Sequence, residues 1–174
     1  MILETERLIL DAWRSSDWIE FRPIATDVEV MRYINGGVPW NDEKIQDFVD
    51  RQRTLYSERG YCRWKLVDRS AGNLIGFCGV GFWRDAKDPE IGWWLARSYW
   101  GRGLATEAAR AALRDAFERV CLERVISVAM VENSASRRIM EKLGLRPESE
   151  FESDGFQMVR YALDRADYEN PAPD

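Results

Sequence analysis

Glu90-Ile91-Gly92-Trp93-Trp94-Leu95, followed after five residues by Gly101-Arg102-Gly103-Leu104-Ala105-Thr106, is the stretch on which the fold turns. The first segment is an apolar, β-prone run. The second is a glycine-rich turn opened by Trp100 and continued by an alanine-rich segment that predicts a helix over 103–120. Ala105, Ala108, Ala109, Ala112 and Ala116 put small side chains on neighbouring turns, so this helix can lie close against a sheet. Leu113 and Phe117 extend its buried face, and Glu107, Arg110, Arg114 and Arg119 are expected to face water. A strand, a glycine turn and a helix in succession make an anion-binding device. The first helical turn leaves backbone N–H groups without internal partners at the positive end of the dipole, and glycines let an anion approach the main chain. No Gly-Lys-Ser/Thr follows, so this is not a Walker loop. The third glycine of a dinucleotide fingerprint is also missing, its place taken by Thr106. A bare G-x-G before a helix also describes an ordinary tight turn.

Upstream, Arg7 to Trp13 reads as a strand, and Ser16-Asp17 caps helical material reaching about Ile34, interrupted at Pro23. Asn35-Gly36-Gly37-Val38-Pro39-Trp40 is a loop that reads as a lid. A second helix then runs from Asn41 or Asp42 to Gly60. Strands are predicted over 63–67, 74–83 and 90–96, forming a three-strand meander. Downstream come a strand over 124–131, a helix over 135–143 stopped by Gly144, and strands around Phe151 and over 156–163. The order β, α, α, β, β, β, α, β, α, β, β defines an α+β chain with helices on a central sheet. Residues 1–168 make one domain, and 169–174 a tail.

The 174 residues fit one domain with one core, and no apolar run reaches the ~20 residues of a membrane span. The N-terminal residues lack the basic and apolar segments of a secretion signal, so a cytoplasmic location is expected. The chain has no histidine, which excludes Ser-His-Asp and Cys-His nucleophiles and His-ligated metals. Cys62, Cys78 and Cys121 are odd in number and far apart, so neither a disulfide framework nor a thiolate metal site is expected; they read as buried small apolar residues. With 25 basic and 30 acidic side chains the net charge is −5, which argues against nucleic acid and favours a cationic partner.

In this context the glycine loop resembles the acetyl-coenzyme A loop of the GNAT superfamily of N-acetyltransferases, Q/R-x-x-G-x-G/A, here Trp100-x-x-Gly103-x-Ala105. A second signature, an Asn opening a helix with a K-x-G stop, is matched by Asn133-Ser134-Ala135-Ser136 and Lys142-Leu143-Gly144. Glu4-Thr5-Glu6-Arg7-Leu8-Ile9-Leu10, Leu74-Ile75-Gly76 and Glu90-Ile91-Gly92 are similar to the ribosomal-protein N-terminal acetyltransferase (RimJ/RimL-like) branch, so the resemblance spans residues 4–165. Trp100 departs from the usual Gln or Arg.

The resemblance implies a GNAT fold: a mixed, mostly antiparallel seven-strand sheet splayed between strands 4 and 5, with four helices. It implies acetyl-CoA as cosubstrate, no metal, and direct attack by a primary amine on the thioester. The pyrophosphate would sit on Trp100, Gly101, Arg102, Gly103, Leu104, Ala105 and Thr106. The pantetheine arm would pair with the main chain of Trp93, Trp94 and Leu95, with Asn133 and Ser136 at the mouth of the next strand.

An ammonium must lose a proton before it attacks, and a carboxylate can take it. Glu90 is the candidate base, or else a solvated strand-end charge. Ser136 and Tyr161 are candidates for protonating the leaving thiolate, or else a helix cap and a packing residue. Among eight tryptophans, Trp40, Trp83 and Trp94 are candidates for an acceptor pocket. The acidic residues Glu148, Glu150, Glu152 and Asp154 attract a cation or form the wet face of a strand. A peptide N-terminus, polyamine, amino sugar or amino acid all remain open as acceptor. The aromatic excess is compatible with a homodimer, and a non-catalytic acyl-CoA-binding sensor or scaffold is the alternative function.

Overall fold

The alternating segments of the sequence become one eight-stranded sheet in the computed structural model, which describes residues 2–84 and 86–170. Its strands are β1 (Leu3–Glu4), β2 (Leu8–Asp11), β3 (Arg63–Asp68), β4 (Leu74–Gly81), β5 (Glu90–Leu95), β6 (Arg124–Met130), β7 (Arg146–Ser153) and β8 (Phe156–Asp164), and their spatial order is β1-β2-β3-β4-β5-β6-β8-β7. Seven strands were expected. The eighth, β1, pairs Leu3 with Leu10 and Glu4 with Ile9, and two residues are too few to leave a periodic trace in a sequence. Every neighbouring pair is antiparallel except β5 and β6, which run parallel and pair at a single position, Glu90 with Ile126. Beyond that position the two strands part, at the expected place.

The helices are α1 (Trp18–Ala25), α2 (Val28–Met31), α3 (Asp42–Arg59), α4 (Leu104–Arg114), α5 (Ser134–Lys142) and α6 (Arg165–Glu169). The first helical stretch breaks at Asp27 rather than at Pro23. Pro23 lies inside α1 on its exposed side, where its ring gives up only the bond to the Ile19 carbonyl. Asp27 turns extended and accepts the N–H groups of Glu29 and Val30, which opens a new helix. Gly60 ends α3 in the left-handed conformation, with its N–H on the Tyr56 carbonyl. The predicted helix starts at Leu104, with Gly103 as its left-handed cap, and runs on with its last turn, Asp115–Arg119, widened to π geometry. Of its four polar residues expected in water, Glu107 is instead half-buried and bonded across the fold. Residues 171–174 of the expected tail lie outside the described residues.

Strand β4 is buried along nearly its whole length, so both of its faces must be covered. Helices α1 and α3 cover one face, where Phe21, Phe48, Phe77, Trp94 and Trp40 make a ring cluster with centroid separations of 4.6–6.4 Å. Helix α4 covers the other, with Ala108, Ala109, Ala112 and Ala116 buried as expected. Cys62 and Cys78 are buried, and burial pushes both thiols well above their ordinary range. Cys121 is a correction: it is exposed, in a left-handed turn at φ 62°.

Under the start of α1, Lys65 Nζ lies 2.7 Å from Asp17 Oδ2, and both residues are buried. Replacing Lys65 by Met leaves that carboxylate buried without its cation and is expected to cost about 3–5 kcal/mol. This lowers Tm on the order of 10 °C in a thermal melt, and a second change, Asp17→Asn, should recover part of the loss.

Candidate active site

The glycine turn is built as the sequence requires. Gly101 and Gly103 hold φ values of 70° and 76°, a region that costs any residue with a Cβ, and Gly103 is the N-cap of α4. Helix geometry leaves the N–H groups of Leu104, Ala105 and Thr106 pointing out of the helix end. Trp100, in place of the usual Gln or Arg, has its indole Nε1–H on the Leu95 carbonyl at 2.7 Å and so ties the turn to the end of β5. The Arg102 guanidinium lies 5.2 Å from the Tyr99 ring centroid.

An anchor that sequence reasoning missed comes from the other end of the chain. Arg7 donates from Nη1 to the Arg102 carbonyl at 2.9 Å and pairs with Glu107 at 2.6 Å, and Thr5 donates to Glu107 at 2.6 Å. Partial burial pushes the Glu107 carboxyl up, but the bonds from Thr5 and Arg7 outweigh it and hold the group below the ordinary range. Glu4-Thr5-Glu6-Arg7 carried a family likeness, but nothing in its local pattern points to a loop about 100 residues away.

The Ala96 N–H bonds to the Ile75 carbonyl at 2.9 Å. By antiparallel alternation the main-chain groups of Trp94 and Gly92 then face β4, and those of Leu95, Trp93 and Ile91 face the gap toward β6. Ser127 closes the narrow end of the gap: its buried Oγ donates to the Ile91 carbonyl at 2.9 Å. Nothing in the sequence marks Ser127, since a serine within a strand is unremarkable without its neighbour.

Glu90 sits where the two strands part. It is only 6% exposed, so the solvated strand-end reading does not hold. Its carboxylate is ion-paired with Arg63 of β3 and also interacts with the Val128 N–H of β6. Burial pushes the Glu90 carboxyl above the ordinary range, against the opposing pull of the Arg63 guanidinium and the Val128 N–H.

Asn133 caps α5 by accepting the Ser136 N–H at 3.1 Å. Ser136 is half-buried beside it, and its hydroxyl is not the cap. Tyr161 is 1% exposed, donating to Glu141 at 3.1 Å and accepting from Arg137 at 3.3 Å. Glu90 pairs with Ile126 and Tyr161 with Ser127, so strand alternation puts Glu90 and Tyr161 on opposite faces of the sheet.

Of the three tryptophans expected in an acceptor pocket, Trp40 and Trp94 touch, with centroids 4.6 Å apart. Trp83 stands apart from that pair and packs edge-on against Phe151 of β7 at 5.6 Å. The loops nevertheless meet. Gly36 lies against the Phe156 ring, and Arg84 is ion-paired with Asp154, so three connections form a rim around this end of the sheet. The acidic run is mainly an exposed strand face, with Glu148 ion-paired to Arg124. A surface groove of about 580 Å³ lies between α1–α2 and Ala96–Ser98, just past the end of β5, and none of the candidate residues line it. Among the described residues no cluster of His, Cys, Asp and Glu side chains could hold a metal, and no helix is long and apolar enough to cross a membrane.

A sheet opened between two parallel strands, with a glycine-cradled helix N-terminus beside the opening, defines an acetyltransferase of the acyl-CoA type. Residues 7–146 match the model of the acetyltransferase (GNAT) domain family, and the chain belongs to that family. It is 31% identical over 151 residues to the uncharacterized N-acetyltransferase YnaD of Bacillus subtilis, covering 87% of this chain and 86% of that one. A GNAT-family acetyltransferase from Bacillus anthracis superposes with a TM-score of 0.81 at 27% identity, covering 95% of this chain and 99% of the other. RimL, a ribosomal alpha-N-protein acetyltransferase solved in complex with coenzyme A, shares the fold at a TM-score of 0.79 and 18% identity, covering 94% and 98%. The family's general activity is acetyl transfer from acetyl-CoA to an amine.

Proposed function

We propose that this chain is an N-acetyltransferase that moves the acetyl group of acetyl-CoA to a primary amine by direct attack, with Glu90 as the general base. The observation that carries this reading is a buried carboxylate placed where β5 and β6 part, with a proton affinity raised by burial. Bound acetyl-CoA supplies the activated thioester. The N–H groups of Leu104 to Thr106 and the Arg102 side chain bind its pyrophosphate, and Gly101 and Gly103 leave the main chain open to it. The main chain of Trp93 and Leu95 aligns the pantetheine arm, and a free N–H there polarises the thioester carbonyl. Asn133, with Oδ1 committed to its cap, offers Nδ2 to the arm, and Ser136 or Tyr161 returns a proton to the thiolate. The acceptor enters on the α1–α3 face beside Trp40 and Trp94, under the rim that carries Trp83. Peptide N-termini, on which RimL acts, are the first acceptors to try.

Thermal melting with acetyl-CoA, CoA and ATP, followed by thiol release against peptides, polyamines, amino sugars and amino acids, tests this reading. Stabilisation by the CoA compounds alone, with release for one amine class, is expected. Gly101 has open space around a Cβ, and Asp is among the side chains that enter the αL region most readily, so Gly101→Asp should fold at a backbone cost of about 1 kcal/mol. Its charge at the anion site should weaken CoA binding by about tenfold or more. Binding without release for any amine would favour the sensor reading, and no binding would sink the loop assignment.

A further inference from the structure

We propose that Arg63 is the positioning residue of the transfer reaction, reaching from β3 across β4 to hold the Glu90 carboxylate at the point where the sheet opens. The inference rests on the reading of Glu90 as the base. The two residues stand on strands that are not neighbours, with β4 between them. Their contact is possible because the crossing point carries no side chains: a Cβ at Gly81 would lie 3.3 Å from the Arg63 guanidinium carbon, and one at Gly92 would lie 3.5 Å from its Nε. The guanidinium thus lies in a trough made by two glycines, ion-paired with Glu90 and donating to the Phe82 carbonyl at 3.3 Å, where the rim loop begins. The base of the side chain is fixed as well. The Arg63 N–H is on Gln52 Oε1 at 3.1 Å, and its carbonyl accepts the Trp13 indole N–H at 2.6 Å.

Packing does not explain an arginine here. Its Nε is buried without a hydrogen-bond partner among the described residues, a cost that Met or Leu filling the same trough would avoid. What arginine adds is a fixed cation beside a carboxylate that burial would otherwise neutralise.

Among the described residues Arg63 is the cation whose charge acts on Glu90. Lys65 of β3 shares this face but is paired with Asp17, and Arg160 of β8 shares it but lies over the Phe151 ring. Strand β4 presents Phe77, Gly79 and Gly81 on this face, β5 presents Gly92 and Trp94, and β6 offers the Val128 N–H. From α3, Arg59 lies over the Phe82 ring, 5.1 Å from its centroid. The Cys78 thiol is within the influence of Arg63 and is held protonated by burial. Arg63 therefore favours the ionised form of Glu90, the form able to accept a proton.

The test is a carboxyl-carbon NMR titration of glutamate-labelled protein, with the Glu90 signal identified by its loss in Glu90→Gln. In Arg63→Met the Glu90 midpoint should rise by at least about one unit, a tenfold loss of ionised base below it. The rising limb of the kcat/KM pH profile should move with it. Arg63→Lys keeps the charge and loses the planar fork, so the midpoint should stay near wild type while kcat falls about tenfold. An unmoved midpoint in Arg63→Met overturns the proposal. If that variant does not fold, wild-type kcat in Arg63→Lys overturns it. Failure of the wild-type protein to acetylate any amine would instead overturn the reading of Glu90 as base, and the NMR midpoint would still decide the role of Arg63.

Discussion

Replacing Glu90 by Gln should lower kcat/KM for the amine by about 10²–10⁴-fold, the usual contribution of a positioned general base. The Kd for CoA should be unchanged, because Glu90 faces α1 and α3 whereas the proposed anion site lies at the N-terminus of α4. The amide has nearly the shape of the carboxylate but cannot accept a proton from an ammonium. The pH dependence gives a second reading. Burial raises the Glu90 pKa, so the carboxylate is protonated and inactive below a midpoint above the ordinary glutamate range, and the rate rises as pH climbs through it. That limb should vanish in Glu90→Gln. The substitution also leaves the Arg63 guanidinium unpaired, so a melt must accompany the kinetics. Loss of activity in a folded, CoA-binding variant supports the base, and retention of the wild-type profile removes Glu90 from the mechanism.

Gly76→Ala should be the most damaging single methyl in the protein. Gly76 lies in β4 with φ 152°, and a Cβ built there falls 1.9 Å from the Trp94 carbonyl oxygen on β5. The obstruction is backbone, so no rotamer change relieves it; either β5 moves away or the pair breaks. A loss of about 4 kcal/mol or more is expected, in the range reserved for named core defects. Urea unfolding would show it as a lower midpoint, and a melt as a fall in Tm on the order of 10 °C. Because Trp94 belongs to the ring cluster beside the proposed acceptor entrance, near-UV circular dichroism should change as well. A wild-type unfolding midpoint would show that the strands tolerate a separation the packing implies they do not.

What the sequence disclosed follows from how far each interaction reaches along the chain. The glycine turn and α4 were legible because a helix N-terminus is a local object, set by Gly101, Gly103 and the alanines after them. The parting of β5 from β6 was legible only through the family likeness, since two strands separated by a helix give no local sign of where their pairing ends. The Arg63–Glu90 pair was not legible, because its members are 27 residues apart and on strands with another between. The hints were indirect: Gly81 and Gly92, in otherwise well-filled strands, mark places where something approaches closely. Pro23 misleads because a proline weakens a helix without always ending it, and the residue that does begin a new helix, Asp27, carries no signal that separates it from the neighbouring acids. Trp83 was grouped with Trp40 and Trp94 by residue type alone, and Phe151, its actual neighbour, lies on a strand formed much later in the chain.

The single rung between β5 and β6 has a topological consequence. Past Glu90 and Ile126 each of these strands is, in hydrogen-bonding terms, a sheet edge, yet both edges lie inside the molecule and face one another. Exposed edges invite strand addition, and proteins ordinarily blunt them with charge, proline or bulges. Here the protection is positional: the two edges face one another across the gap rather than outward, and Trp100 covers the last carbonyl of one of them. A slot of this kind suits a narrow, extended chain with amide groups of its own, able to act as a short surrogate strand. The molecule thus keeps the recognition power of a strand edge without its usual hazard of aggregation.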